Sequence, residues 1–156
     1  ENAVFAARKL KEAEIAFQWH MVGGGSIENE LRETAENAGV ADCFLFEGNQ
    51  PNPYPYLKNA DLFVHPSYVE SQGLVVLEAM ALGVPCVVTK SLGPCEFIED
   101  GVNGILTEQS PESLAEKVME ILTDQKLYEH IKMNTYCPAQ FAPACVMRKI
   151  EVLLER

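Results

Sequence analysis

The stretch DLFVHPSYVESQGLVVLEAMALGVPCVVTKS, residues 61–91, decides the fold. Its apolar opening, Leu62 to Val64, reads as a buried strand that ends in a loop at Pro66 and Ser67. GLVVLEAMALG reads as the helix that follows. PCVVTKS then supplies a second β-branched run, suited to a parallel sheet covered on both faces. A strand, a helix and a second strand in this order predict an α/β domain.

The alternation continues on both sides of this unit. AVFAARKLKEAEI has helical spacing, AFQWHMVGGG reads as a strand running into a flexible turn, and SIENELRETAENAG reads as a helix. Ile27, Leu31, Ala35 and Ala38 share one apolar face of that helix, Ser26 is expected to cap it, and Gly39 stops it. DCFLFEG is a strand, and NPYPYLKNA a proline-rich turn leading into a short helix. Downstream, Gly101 and Gly104 flank a tight turn and ILT is a short strand. Ser110-Pro111 opens a helix whose expected buried stripe is Leu114, Val118, Ile121 and Leu122. The tail from Tyr128 carries Pro138 and Pro143, then a last helix with Val146, Ile150 and Leu153 on one side. The expected fold class is α/β, a Rossmann-like doubly wound parallel sheet in one domain over residues 1–156.

Composition narrows the function classes. The chain has 156 residues, 47% of them hydrophobic, which is ample for one core. Its 23 Asp and Glu against 12 Lys and Arg give a formal charge of −11. An acidic surface repels polyanions, so neither nucleic acid nor an anionic membrane face is an expected partner. The segment offers nothing for direct membrane insertion. Cys43, Cys86, Cys95, Cys137 and Cys145 have no close paired spacing, which argues for a reducing, cytoplasmic location and against a metal site. Cys43 and Cys86 are expected in strands as small core fillers.

Two glycine-led helix starts compete as phosphate sites. GGGSIENE follows a strand, but Glu28 stands where a dinucleotide fingerprint needs its third glycine, and Glu28 and Glu30 crowd the first turn. A tight turn is the better reading there. In ESQGLVVLE no acid occupies Ser71 to Val76, so the amides of Gly73 and Leu74 are open to an anion, and Gly73 permits close approach. Glu78, more than a turn further on, could accept from a ribose diol, and Glu70 lies where open α/β sheets bind ligands. The alternative is an ordinary loop acid at Glu70 and a solvated helix residue at Glu78. His65 is either a cleft residue or a structural imidazole, and His20, beside Trp19, reads as structural. Lys90 and Ser91 share the sheet edge of Glu70, and Tyr54, Tyr56 and Tyr68 read as packing residues or as the lining of a face. No nucleophile elbow or catalytic triad is present.

Taken together, ESQGLVVLE, AMALGVPCVVTKSLGPCEFIEDGVNGILT, MVGGG, FLFEG and NADLFVHPS resemble the C-terminal, donor-binding domain of retaining GT-B glycosyltransferases of family four, over nearly the whole chain. The resemblance implies that Gly73 and Leu74 receive the diphosphate of a nucleotide sugar and that Glu78 holds its ribose. Glu70, the catalytic-site glutamate, would contact the donor sugar, and Phe46 to Gly48 would border the base. The implied substrate is a UDP- or GDP-sugar, with no cofactor and no metal. The acceptor would be a glycan or lipid-linked glycan, and the full enzyme would be cytoplasmic or peripheral to a membrane. Gln72 departs from the aromatic residue common before the glycine. The family's basic Arg and Lys pair, on an earlier strand, has no counterpart, nor does the N-terminal acceptor-binding domain. The resemblance therefore implies a domain truncated at its N-terminus that lacks its first strand. Alternatives are a nucleotide-sugar epimerase, a glycogen-type phosphorylase, a catalytically inactive nucleotide-binding or regulatory domain, and a flavodoxin-like or response-regulator domain.

Overall fold

Val87 and Val88 are fully buried, yet their side chains leave the backbone in opposite directions. Val87 packs with Ala6, Leu10, Leu114, Val118, Ile121 and Ile131, while Cys86 and Val88 pack with Val76, Ala79, Met80 and Phe97. A strand with two apolar faces needs a helical layer on each side.

The computed structural model describes residues 1–135. In chain order the elements are α1 (Asn2–Glu12), β1 (Trp19–Val22), α2 (Glu28–Asn37), β2 (Phe44–Gly48), α3 (Tyr54–Asn59), β3 (Phe63–His65), α4 (Leu74–Ala81), β4 (Cys86–Thr89), β5 (Ile105–Thr107), α5 (Pro111–Thr123) and α6 (Gln125–Asn134). All three strand pairings are parallel among the described residues: β1 with β2, then β3 with β4 and β4 with β5. The sheet is therefore hydrogen-bonded as two groups, of two and three strands. Among the described residues, β1 and β3 each keep one edge without a ladder partner. Packing joins the groups, because Ala6 and Leu10 of α1 lie in the core over Val87 while Val4 and Ala7 lie in a second core with Ala35 and Phe44.

The expected α/β class and parallel sheet are present, with local corrections. Ser26 does not cap α2, which starts at Glu28 with Ile27 at the cap position and no side-chain cap bond. Glu28 and Glu30 put negative charge at that helix end instead. Ile27 is consequently outside the helix and 55% exposed, leaving Leu31 and Ala35 as the buried face. Leu122 is also exposed, one residue from the end of the helix, and Ala115 joins the buried set in its place. Ser110 caps α5 as its position before Pro111 implies, accepting from Ser113 N–H at 3.1 Å. The sequence reading missed the break at Asp124, whose carboxylate accepts from Lys126 and Leu127 N–H and starts α6. Cys86 is a core filler in β4, with burial pushing its thiol up to about 12, whereas Cys43 sits in the turn before β2. Pro138, Pro143, Val146, Ile150, Leu153, Cys137 and Cys145 lie outside the described residues. No helix among the described residues is long and apolar enough to cross a membrane.

Ile121 is fully buried where α5 meets Leu10, Val87 and Ile131. Ile121→Ala is expected to cost about 2–5 kcal/mol, a large share of a domain's usual margin of about 5–15 kcal/mol. Urea unfolding followed by circular dichroism checks this, and a midpoint shift without a slope change is the expected form.

Candidate functional site

The chain leaves β3 through Pro66 and Ser67 and enters α4 at Gly73, and this turn is tied down from several sides. Gly73 has φ 67° and ψ 34°, the left-handed conformation that glycine adopts without strain. A Cβ there would also come within 3.1 Å of Pro94 Cγ and 3.2 Å of Phe97 Cζ. Gly93 N–H donates to the Glu70 carbonyl at 3.2 Å. A Cβ on Gly93 would lie 2.7 Å from Gln72 N and from Ser71 O, both backbone atoms with nowhere to go. Gln109 Nε2 donates to the Tyr68 and Lys90 carbonyls, each at 2.8 Å, and the Thr89 hydroxyl donates to the Ser67 carbonyl. Together these bonds fix the ends of β3, β4 and β5 around the start of α4.

Glu70 folds back onto this turn. Its Oε1 accepts from Gly73 N–H at 2.9 Å and from Gln72 N–H at 3.1 Å. The Gly73 bond first, then that of Gln72, holds the carboxyl below the usual glutamate range. Glu70 is therefore a carboxylate at neutral pH and acts as an acceptor, not as an acid. Its Oε2 lies 3.5 Å from His65 Nε2, an electrostatic contact too long for a good hydrogen bond, and that buried nitrogen has no hydrogen-bond partner. Burial outweighs the pull of Glu70 and pushes the His65 imidazole below its ordinary range, so it is neutral at pH 7. His65 is thus packed against Phe63, with ring centroids 6.0 Å apart, and its ring edge meets Glu70.

The expectation of open amides at both Gly73 and Leu74 needs correction. Gly73 N–H is taken by Glu70, because three residues of chain are enough for the carboxylate to return to the helix start. Among the described residues, the Leu74 and Val75 N–H groups form no hydrogen bond, and the first turn of α4 contains no acid. Those two donors and the positive end of the helix dipole form the anion-seeking end of the site. Leu74 is 61% exposed whereas Val76, Ala79 and Met80 are buried, so the face of α4 that carries Leu74 is the open one. Glu78 stands four residues later on that face, and side chains on a helix tilt toward its N-terminus. Its Oε1 accepts from the Tyr54 hydroxyl at 3.2 Å.

Phe46 and Gly48 lie at the end of β2, where the Gly48 carbonyl accepts from Gly23 N–H at 2.8 Å. The Phe46 ring packs beside Phe44 and beneath the Arg32 guanidinium, 4.5 Å from its centroid. Helix α3 links this strand end to α4: Tyr56 donates to Glu47 Oε2 at 3.1 Å while Tyr54 reaches Glu78. His20 Nδ1 lies 2.7 Å from Glu47 Oε1, and Lys90 pairs with Glu108, so neither is an isolated group aimed at the α4 start. The roles of Tyr54, Gln109 and Gly93 were not foreseen. For Tyr54 the sequence held a signal, a tyrosine set rigidly between Pro53 and Pro55. Gln109 and Gly93 act through contacts between loops that no local pattern reveals.

The profile of the family described as Glycosyl transferases group 1 matches residues 1–137. The chain belongs to this family. The lipopolysaccharide core biosynthesis glycosyltransferase LpsE of Rhizobium meliloti is 35% identical over 108 residues, covering 69% of this chain and 32% of that protein. N-acetyl-alpha-D-glucosaminyl L-malate synthase of Bacillus anthracis is 36% identical over 112 residues, covering 71% and 29% respectively. This chain thus spans about a third of the length of these relatives. Among solved structures, TarM superposes with a TM-score of 0.89 at 23% identity, covering 99% of this chain and 32% of that one. Anabaena HepE, solved with UDP and glucose, superposes with a TM-score of 0.83 at 25% identity, covering 97% and 44%. The fold is the Rossmann-like α/β architecture of these GT-B glycosyltransferases.

Two outcomes test the geometry of the turn. Glu70 has a lowered pKa in the folded chain, so the stability its cap provides is present above the ordinary glutamate range and lost as pH falls through the folded-state value. The amide resonances of Gln72 and Gly73 should follow one titration with a midpoint below ordinary glutamates; a midpoint at or above that range would contradict the cap. Gly93→Ala must push the backbone of residues 71–72 aside, and is expected to cost about 1–3 kcal/mol and to shift the amides of Ser71 to Gly73.

Proposed function

We propose that this chain is the C-terminal, donor-binding half of a retaining glycosyltransferase, which moves a sugar from a nucleoside diphosphate to an acceptor hydroxyl. The observation that carries the reading is the start of α4: donors at Leu74 and Val75, no acid in the first turn, and Glu78 on the same open face. The diphosphate lies at those amides, with the left-handed Gly73 setting the start of the helix that presents them. Glu78 holds the ribose, the backbone from Phe46 to Gly48 borders the base, and Glu70 receives donor-sugar hydroxyls.

The charge states favour this division of labour. Negative charge develops on the leaving diphosphate as the glycosidic bond breaks, and fixed amide dipoles stabilise it without reorganising. Glu70, already ionised and oriented by two amides, has Oε2 left as an acceptor for sugar hydroxyls. Glu70 and Glu78 are binding groups rather than the acid and base of a glycoside hydrolase. The donor is a UDP- or GDP-sugar; that HepE was solved with UDP and glucose supports UDP as the first to try.

The unpaired edges of β1 and β3 support a further part of the reading. One more parallel strand between them would join both groups into a single sheet in the order β2-β1-strand-β3-β4-β5, the doubly wound arrangement. In the full enzyme that strand would bring the basic pair to the diphosphate, and an N-terminal domain would supply the acceptor wall for a glycan or lipid-linked glycan. This chain alone is expected to bind nucleotide weakly and to transfer little or no sugar.

Calorimetry of the chain with UDP, GDP and ADP tests the reading. One nucleotide should bind in preference, and Glu78→Ala should weaken it about tenfold or more, since hydrogen bonds to a carboxylate are strong ones. Equal affinity in the variant would remove Glu78 from the ribose, and indifference to all three nucleotides would favour a regulatory module that kept only the fold.

A further inference from the structure

We propose that Tyr54 is a positioning residue for the nucleotide ribose: its hydroxyl donates to Oε1 of Glu78 and leaves Oε2 to take the sugar diol. This rests on the ribose role given to Glu78 above. Glutamate is flexible, and a half-buried carboxylate on an open helix face has no intrinsic reason to hold one rotamer. Among the described residues Glu78 enters no ion pair, and the bond from Tyr54, 3.2 Å long and bridging 24 positions of sequence, orients it. A phenol does this without cancelling the charge, so the carboxylate stays a strong acceptor. A lysine in the same place would neutralise it.

Tyr54 is itself well fixed for the task. It opens α3 between Pro53 and Pro55, whose rings restrict the backbone, and its N–H donates to Asn52 Oδ1 at 3.2 Å. Two residues on, Tyr56 donates to Glu47 and ties the same helix to β2. Yet Tyr54 is 48% exposed, more than a packing aromatic needs, while Leu57 of the same helix is buried. The ring is held at the edge of the open face of α4, its hydroxyl on the carboxylate assigned to the ribose.

Calorimetry with UDP and 2′-deoxy-UDP on the chain, on Tyr54→Phe, on Glu78→Gln and on the double variant tests the proposal. Tyr54→Phe is expected to lower UDP affinity about three- to tenfold, to shrink the preference for UDP over 2′-deoxy-UDP, to leave the melting temperature unchanged, and to add nothing once Glu78 is replaced. A preference that falls in Glu78→Gln but not in Tyr54→Phe overturns the positioning role and leaves the ribose reading standing. A preference unmoved by either change, or no UDP binding at all, overturns the ribose reading and this proposal with it. Equal loss for both nucleotides in Tyr54→Phe would put the ring on the ligand itself and would likewise overturn it. A ligand-free measurement stands beside these. The charge of Glu78, and then its hydrogen bond, raise the Tyr54 phenol above its ordinary range, so the carbon-13 resonance of its ring should titrate lower in Glu78→Gln. An unchanged titration would mean that the contact does not form in solution.

Discussion

The turn between β3 and α4 depends on one carboxylate that closes on its own backbone. Glu70 satisfies the amides of Gln72 and Gly73, donors that a helix start otherwise leaves without partners. Without that closure the turn would keep its packing on Gly93, Pro94 and Phe97 but leave two amides without partners. With it, the remaining donors at Leu74 and Val75 stand at the end of a helix whose other side is sealed by Val76, Ala79 and Met80. Burial of α4 on one face and capping at its start therefore set the direction in which its dipole points.

The same economy governs the neighbouring loop. Gly93 carries no side chain because the backbone of residues 71–72 occupies that space, and its N–H binds the Glu70 carbonyl. Main chain and side chain of Glu70 are thus both engaged, one by the loop after β4 and the other by the start of α4. Gln109 adds a third tie from beyond β5. Parallel strands bring all three loops to one sheet edge, so the topology itself puts the ties where they meet. His65, neutral and half-buried beside Glu70, adds no competing positive charge that would draw the carboxylate away from the amides.

Much of this was legible in the sequence wherever the pattern was local. Apolar runs exposed the buried β4 and the helix α4, and Ser110 before Pro111 marked the start of α5, since caps and two-faced strands are written in adjacent residues. The helix start free of acids was also readable. Its actual donors were not, because whether Glu70 turns inward depends on three-dimensional closure rather than on spacing. Ile27 and Leu122 failed as core residues for a related reason: each lies at a helix end, where a shift of one or two residues in the boundary changes the exposed side. Gly93 and Gln109 were invisible because their partners lie in other loops, 19 to 41 residues away in the case of Gln109.

Tyr54 stands between these cases and shows what a close reading of the turn chemistry can reach. Prolines on both sides of a tyrosine restrict the backbone more than a mere connection between β2 and β3 requires, and a short helix with one buried leucine has little packing energy to justify the cost. The rigidity makes physical sense if something beyond the helix depends on where the ring sits. In the folded chain the ring reaches Glu78, and a carboxylate that is oriented before its ligand arrives loses less side-chain freedom on binding than one that must be ordered at that moment. Glu70 obtains the same advantage from its backbone amides. The two glutamates are thus prepared by different means, one by the turn that contains it and the other by a neighbouring helix, and each keeps its charge.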